Sequence, residues 1–145
     1  SDRERLTWIT TNSKNLNQHF KTTPAMVDIM PSIASHLNLT VPEPIRKELD
    51  GVPFIGPVDI ADLKTSSEKD GLLIEWTLLN PKLDSLTIFT TTTNNFATGG
   101  VDNYQKLTTI AAKEEKFWFK PSADSLTKIL VATPDQFLNT WVVKK

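Results

Sequence analysis

The hydrophobic rhythm of the chain changes once, near residue 57. Before it, Ile29, Ile33 and Leu37 recur at spacing four with Met30 and Ala34 beside them. That is the broad apolar stripe of a helix ending near Leu37. Asp28 precedes it as an N-cap, where a carboxylate accepts from the first free N–H groups, and Pro31 falls in the first turn, where a missing N–H costs little. Pro42 and Pro44 interrupt, and a short turn from Pro44 to Leu49 follows with Pro44 at its first helical position. Leu6 to Thr11 is rich in β-favouring residues and predicts a short strand; Asn12 to Asn15 predicts a turn. The stretch Asp50 to Pro57 carries two glycines and two prolines, which marks irregular backbone and a domain junction, dividing the chain into 1–56 and 57–145.

After Pro57 the helical period gives way to alternation. Strands are expected over 58–63, 72–78, 86–93, 104–111, 115–120, 126–133 and 138–143, separated by turn residues such as Asp70-Gly71, Asn80-Pro81 and Pro134-Asp135. The loop from Asn94 to Asn103 holds Gly99-Gly100. Seven short strands without helical inserts predict a mainly β fold: a seven-stranded, two-sheet sandwich of fibronectin type III or immunoglobulin-like kind, preceded by a small α/β segment. A barrel is the competing arrangement. The expected interior is Ile74, Trp76, Ile88, Phe117, Phe119, Leu130 and Val142.

Composition narrows the function classes. The 145 residues suit one ordinary domain, or a small domain plus a piece of another. Lys and Arg number 16 against 17 Asp and Glu, so no basic face for nucleic acid is implied; Lys144-Lys145 reads as a solvated tail. No apolar run approaches the ~18 residues that span a bilayer. The opening Ser1-Asp2-Arg3-Glu4-Arg5 is polar and reads as the start of an excised segment or a processed product. The absence of cysteine excludes disulfide and thiolate chemistry.

No catalytic constellation is legible. His19 and His36 lack a partner at metal-ligand spacing, and His36 suits a helix C-terminus. Gly99-Gly100 lacks the Lys-Ser or Lys-Thr of a phosphate loop. Ser13, Ser32 and Ser35 have no nucleophile-elbow context. The pairs Asp59/Asp62 and Glu114/Glu115 read as solvated surface. Trp118 and Trp141 oppose the inward faces of their strands. They are candidates for stacking on a sugar ring or anchoring a protein partner, against the simpler role of covering core edges.

Arg5-Leu6-Thr7-Trp8-Ile9-Thr10-Thr11-Asn12, then Ala25 to Ala34, Leu37-Asn38-Leu39, Val41-Pro42 and Asp50-Gly51-Val52-Pro53, resemble the closing segment of the alkaline-phosphatase superfamily. The likeness is to its type I phosphodiesterase/nucleotide pyrophosphatase branch and sulfatase relatives, and Val27 to Ile33 carries the core of it. It implies a secreted or periplasmic parent, with two zinc ions held by Asp and His residues upstream of Ser1. No ligand falls in this chain, and Asp28 takes a capping role. The C-terminal part resembles a fibronectin type III-like sandwich, with Trp76 as its buried Trp, although Thr127-Lys128 stand where a Tyr is usual. The chain is then expected to be the inactive C-terminal part of a metal-dependent phosphoric ester hydrolase, its sandwich an accessory module whose partner is the upstream catalytic domain. The alternatives are a carbohydrate- or protein-binding module using Trp118 or Trp141, and a structural spacer. The apolar helix face in 1–56 is expected to be covered by the sandwich.

Overall fold

Alternation along β2 (Gly71–Leu78) places Leu72, Ile74 and Trp76 on one buried face. The same rule fills the interior from the other strands, which are β1 (Ile60–Glu68), β3 (Ser85–Thr91), β4 (Gln105–Ala111), β5 (Lys116–Phe119), β6 (Leu126–Ala132) and β7 (Phe137–Val143). The computed structural model describes residues 8–22, 24–68, 70–122 and 126–143. The fold is mainly β, a seven-stranded sandwich of fibronectin type III/immunoglobulin-like kind. One sheet has the order β1-β2-β5, the other β4-β3-β6-β7, and every pair is antiparallel. Ile60, Leu72, Ile74, Trp76, Leu86, Ile88, Phe119, Ile129, Val131 and Leu138 form the core between the sheets. Trp76 also donates its indole N–H to the carbonyl of Ala112 at 2.9 Å, so the buried ring leaves no polar atom unpaired. Of the expected interior, Phe117 and Val142 are only half-buried, packed at its margin, and Leu130, though buried, lies on the outer side of its strand and not between the sheets, because it shares the alternation of Lys128. β1 bulges between Ala61 and Lys64, where Asp62 takes a φ of 53°.

The N-terminal segment forms a third layer. It holds single 3-10 turns at Gln18–Lys21 and Met26–Asp28, then α1 (Ile29–His36) and α2 (Glu43–Arg46). Residues 15–17 run alongside 54–56: Leu16 bridges Ile55, the Asn17 amide donates to the Phe54 carbonyl, and the Gly56 amide to that of Asn15. Val52 reaches into the sandwich core. Asp28 is the hub of this segment. Its carboxylate accepts from the backbone N–H of Ala25 (2.7 Å) and of Val52 (2.7 Å), and pairs with His19 Nε2 at 2.9 Å. The side chain therefore ties the preceding turn and the 51–52 bend together and makes no capping bond to α1 itself.

Three further expectations are corrected. Residues 8–11 form no strand, while Leu6 and Thr7 lie outside the described residues. Asp59 is buried, not solvated: Asn80 Nδ2 (2.8 Å) and Thr133 Oγ1 (2.5 Å) donate to its carboxylate. The helix does not turn its Ile29–Ile33–Leu37 stripe onto the sandwich. Ser32 and Ala34 face inward, because the Ser32 hydroxyl accepts from the Phe54 amide (2.9 Å) and Ser35 donates to the Ile55 carbonyl (2.8 Å). Those bonds fix the rotation of α1 and leave Met30, Ile33 and Leu37 about half exposed.

Candidate functional site

The outer face of the four-stranded sheet carries the most organised polar site. β6 is buried on both sides from Thr127 to Val131. Thr127, Ile129 and Val131 point one way and Lys128 and Leu130 the other, beneath the segment around α2. Lys128 is thus an ammonium at the bottom of a covered face. It donates to Glu48 Oε2 and to Asp102 Oδ2, each at 2.5 Å, with all three side chains nearly inaccessible. Tyr104 donates its hydroxyl to Glu48 Oε1 at 3.0 Å, and Lys128 lies 5.8 Å from the centre of its ring. Asp102 also accepts from Thr93 Oγ1 (2.8 Å) and the Asn95 amide (2.7 Å).

These contacts set the charges. Burial pushes the Asp102 carboxyl up, but the bonds from Lys128, Thr93 and Asn95 outweigh it and hold it below its usual value. Burial likewise works against the Lys128 ammonium, yet the hydrogen bonds and charges of Asp102 and Glu48 raise its pKa. Burial, with the Glu48 carboxylate beside it, pushes the Tyr104 phenol upward, so Tyr104 serves as a neutral donor.

The α2 segment follows the outward row of β7, which is Phe137, Asn139 and Trp141. Arg46 and Lys47 stand over the Phe137 ring at 5.1 and 5.6 Å. Asn139 Nδ2 donates to the carbonyls of Lys47 (3.2 Å) and Leu49 (3.0 Å). Trp141, next in the row and opposite Lys128 in the ladder, is 59% exposed. It borders a cleft of about 150 Å³ with Glu48, Asp50, Asn94, Lys128 and Asn139.

Trp118 belongs to the other sheet, so the structure does not bring the two tryptophans together. Its indole covers Gly71, where a Cβ would sit 2.4 Å from the ring. Glu115 occupies a tight turn with φ 52° and accepts from the Leu78 amide at 2.8 Å. His19 is buried in its pair with Asp28, and His36 is exposed in the last turn of α1. Among the described residues no group of three His, Asp or Glu side chains is placed to hold a metal ion, and no helix is long and apolar enough to cross a membrane.

Sequence reasoning missed the Glu48–Lys128–Asp102–Tyr104 network. One signal was available: a lysine inside the apolar run of β6 marks a strand buried on both faces. Nothing in the spacing linked it to Glu48 or Asp102.

A second feature is apolar. Trp8 is 84% exposed, and Met26, Val27, Met30, Ile33 and Leu37 are each exposed by half or somewhat more. They accompany a groove of about 550 Å³ lined chiefly by Ile9, Ile29, Ile33, Phe54 and Ile55, with Ser32 and His36.

No family model matches the chain, and no curated protein matches it. Among solved structures it is similar to pectate lyase PelI from Erwinia chrysanthemi in complex with tetragalacturonic acid, at 13% identity and a TM-score of 0.42 over 59% of this chain and 27% of that one. It is also similar to pectate lyase Pel3 from Pectobacterium carotovorum, at 11% identity and a TM-score of 0.44 over 61% of this chain and 27% of that one. The chain thus spans about a quarter of their length, and a likeness at this level carries no argument about its chemistry. These neighbours are pectate lyases, not phosphodiesterases. With no family model matching, the resemblance to the alkaline-phosphatase superfamily, and the hydrolase, phosphodiesterase and nucleotide pyrophosphatase reading drawn from it, is corrected. Local folding accounts for the residues that carried it: Asp28 gathers backbone amides, Pro31 sits in a first turn, and Ser32 fastens α1 to residue 54.

Proposed function

We propose that this chain is a non-catalytic accessory module whose N-terminal layer docks a further folded unit of the same polypeptide, upstream of Trp8. The observation that carries this reading is the set of apolar side chains left at least half exposed on and just before α1, Met26, Val27, Met30, Ile33 and Leu37, together with the apolar groove that Ile33 lines. Patches of this kind mark interaction surfaces, since apolar side chains left in water forgo about 25 cal/mol per Å² of burial. The geometry also favours a covalently linked occupant. Ile9 to Asn12 borders the groove, so a unit entering there starts at high effective concentration. The sandwich stabilises this platform through Val52 and the Lys128 network.

Footprinting by methionine oxidation tests the reading. In the polypeptide encoded by the complete open reading frame, Met26 and Met30 should oxidise at least about tenfold more slowly than in this chain alone. Equal rates would sink the proposal.

A further inference from the structure

The cleft at Trp141 has a composition that docking of the N-terminal layer does not use. Glu48 and Lys128 are fixed in their ion pair and form its floor. Around them stand polar groups with unused capacity among the described residues. The Asp50 carboxylate is exposed and the Asn94 amide makes no side-chain hydrogen bond. Asn139 spends its N–H groups on Lys47 and Leu49 and keeps its side-chain oxygen. Donors and acceptors therefore converge on one opening beside an exposed indole.

We infer that this cleft binds a neutral saccharide. A sugar ring presents hydroxyls that each donate and accept, and an apolar C–H face that stacks on an aromatic ring. The Asn94 amide, the Asn139 side-chain oxygen and the Asp50 carboxylate around a tryptophan answer both. Size points the same way: about 150 Å³ is about five times the volume share of a water molecule and well below the roughly 300–1,000 Å³ of sites for larger ligands. One ring fills the cleft, and its neighbours in an oligosaccharide extend across Trp141. Charge decides the class. Glu48, Asp50 and Asp102 outnumber Lys128, so the field repels uronates and sulfated sugars and leaves neutral ones. Trp118 offers no such setting, because its ring lies on the backbone of Gly71.

The test follows the indole N–H resonances of the ¹⁵N-labelled chain during titration with cellotetraose, mannotetraose, xylotetraose and chitotetraose, and with tetragalacturonate as the charged probe. At least one neutral tetramer should shift Trp141 saturably, with Trp8, Trp76 and Trp118 unmoved. Tetragalacturonate should bind at least about tenfold more weakly. Trp141→Ala should abolish the response. Asp50→Ala and Asn94→Ala, which remove groups that hold nothing else in place, should each weaken binding about tenfold, the loss expected for one hydrogen bond to a fixed polar group. A flat response to all four neutral tetramers overturns the assignment. So does binding that survives both Asp50→Ala and Asn94→Ala unchanged, or tighter binding of the uronate. The outcome is independent of whether Met26 and Met30 are protected in the longer polypeptide.

Discussion

Lys128 shows how one residue can commit a whole surface. Its ammonium is out of water and kept charged by two carboxylates, which also accept hydrogen bonds from Tyr104, Thr93 and Asn95. Replacing one member is far worse than replacing all, because the remaining charges stay buried without compensation. Lys128→Met should therefore lower stability by about 3–5 kcal/mol, read as the shift in a urea unfolding midpoint. A loss below about 1 kcal/mol would place the network with ordinary surface ion pairs. Little along the chain warned of this. Trp76, Ile74 and Ile88 were readable as core because alternation fixes their side of the strand. Lys128 and Glu48 are eighty positions apart, and only the folded chain brings them together.

At the level of elements, rotation and close approach matter more than periodicity. The apolar stripe of α1 was plain in the sequence, but its burial was not. Periodicity states which residues share a face, whereas the hydroxyls of Ser32 and Ser35 decide which face turns inward. The bend at Gly51 supports the same contact from the other side. A Cβ there would stand 2.0 Å from the Val27 carbonyl oxygen and 3.0 Å from Asp28 Cα, both backbone atoms that cannot swing aside. Gly51→Ala should push the bend off the Met26–Asp28 turn, break the bond from the Val52 amide to Asp28, and destabilise by about 1–3 kcal/mol. Thermal unfolding measures it; an unchanged midpoint would mean the bend is not seated on that turn. The strands after Pro57 fared better because turn residues bracket them, and each of those seven lies within a few residues of an observed one, whereas the strand expected over Leu6 to Thr11 is not formed by residues 8–11.

For the whole molecule, the charge network sets a pH window of stability. The folded Asp102 carboxyl titrates below its ordinary value of 3.8. The stability it lends is complete above that value and is lost as pH falls through its folded pKa. The folded Lys128 ammonium titrates above its ordinary 10.5, so its contribution is complete below that value and is lost as pH rises through its folded pKa. Unfolding free energy should hold a plateau between these limits and decline outside them, and the alkaline decline should be smaller in Lys128→Met. Denaturant titrations across pH measure both arms, and an identical alkaline arm in the variant would remove Lys128 from the account.

The third layer also bears on portability. A sandwich transplanted from Pro57 onward would leave behind Glu48, Val52 and the carbonyls that occupy Asn139. Lys128 would then keep Asp102 alone, and the outer side of β6 would be open to water. Any chimera that borrows this fold must therefore carry residues 43–52 with it, as a keel is carried with a hull.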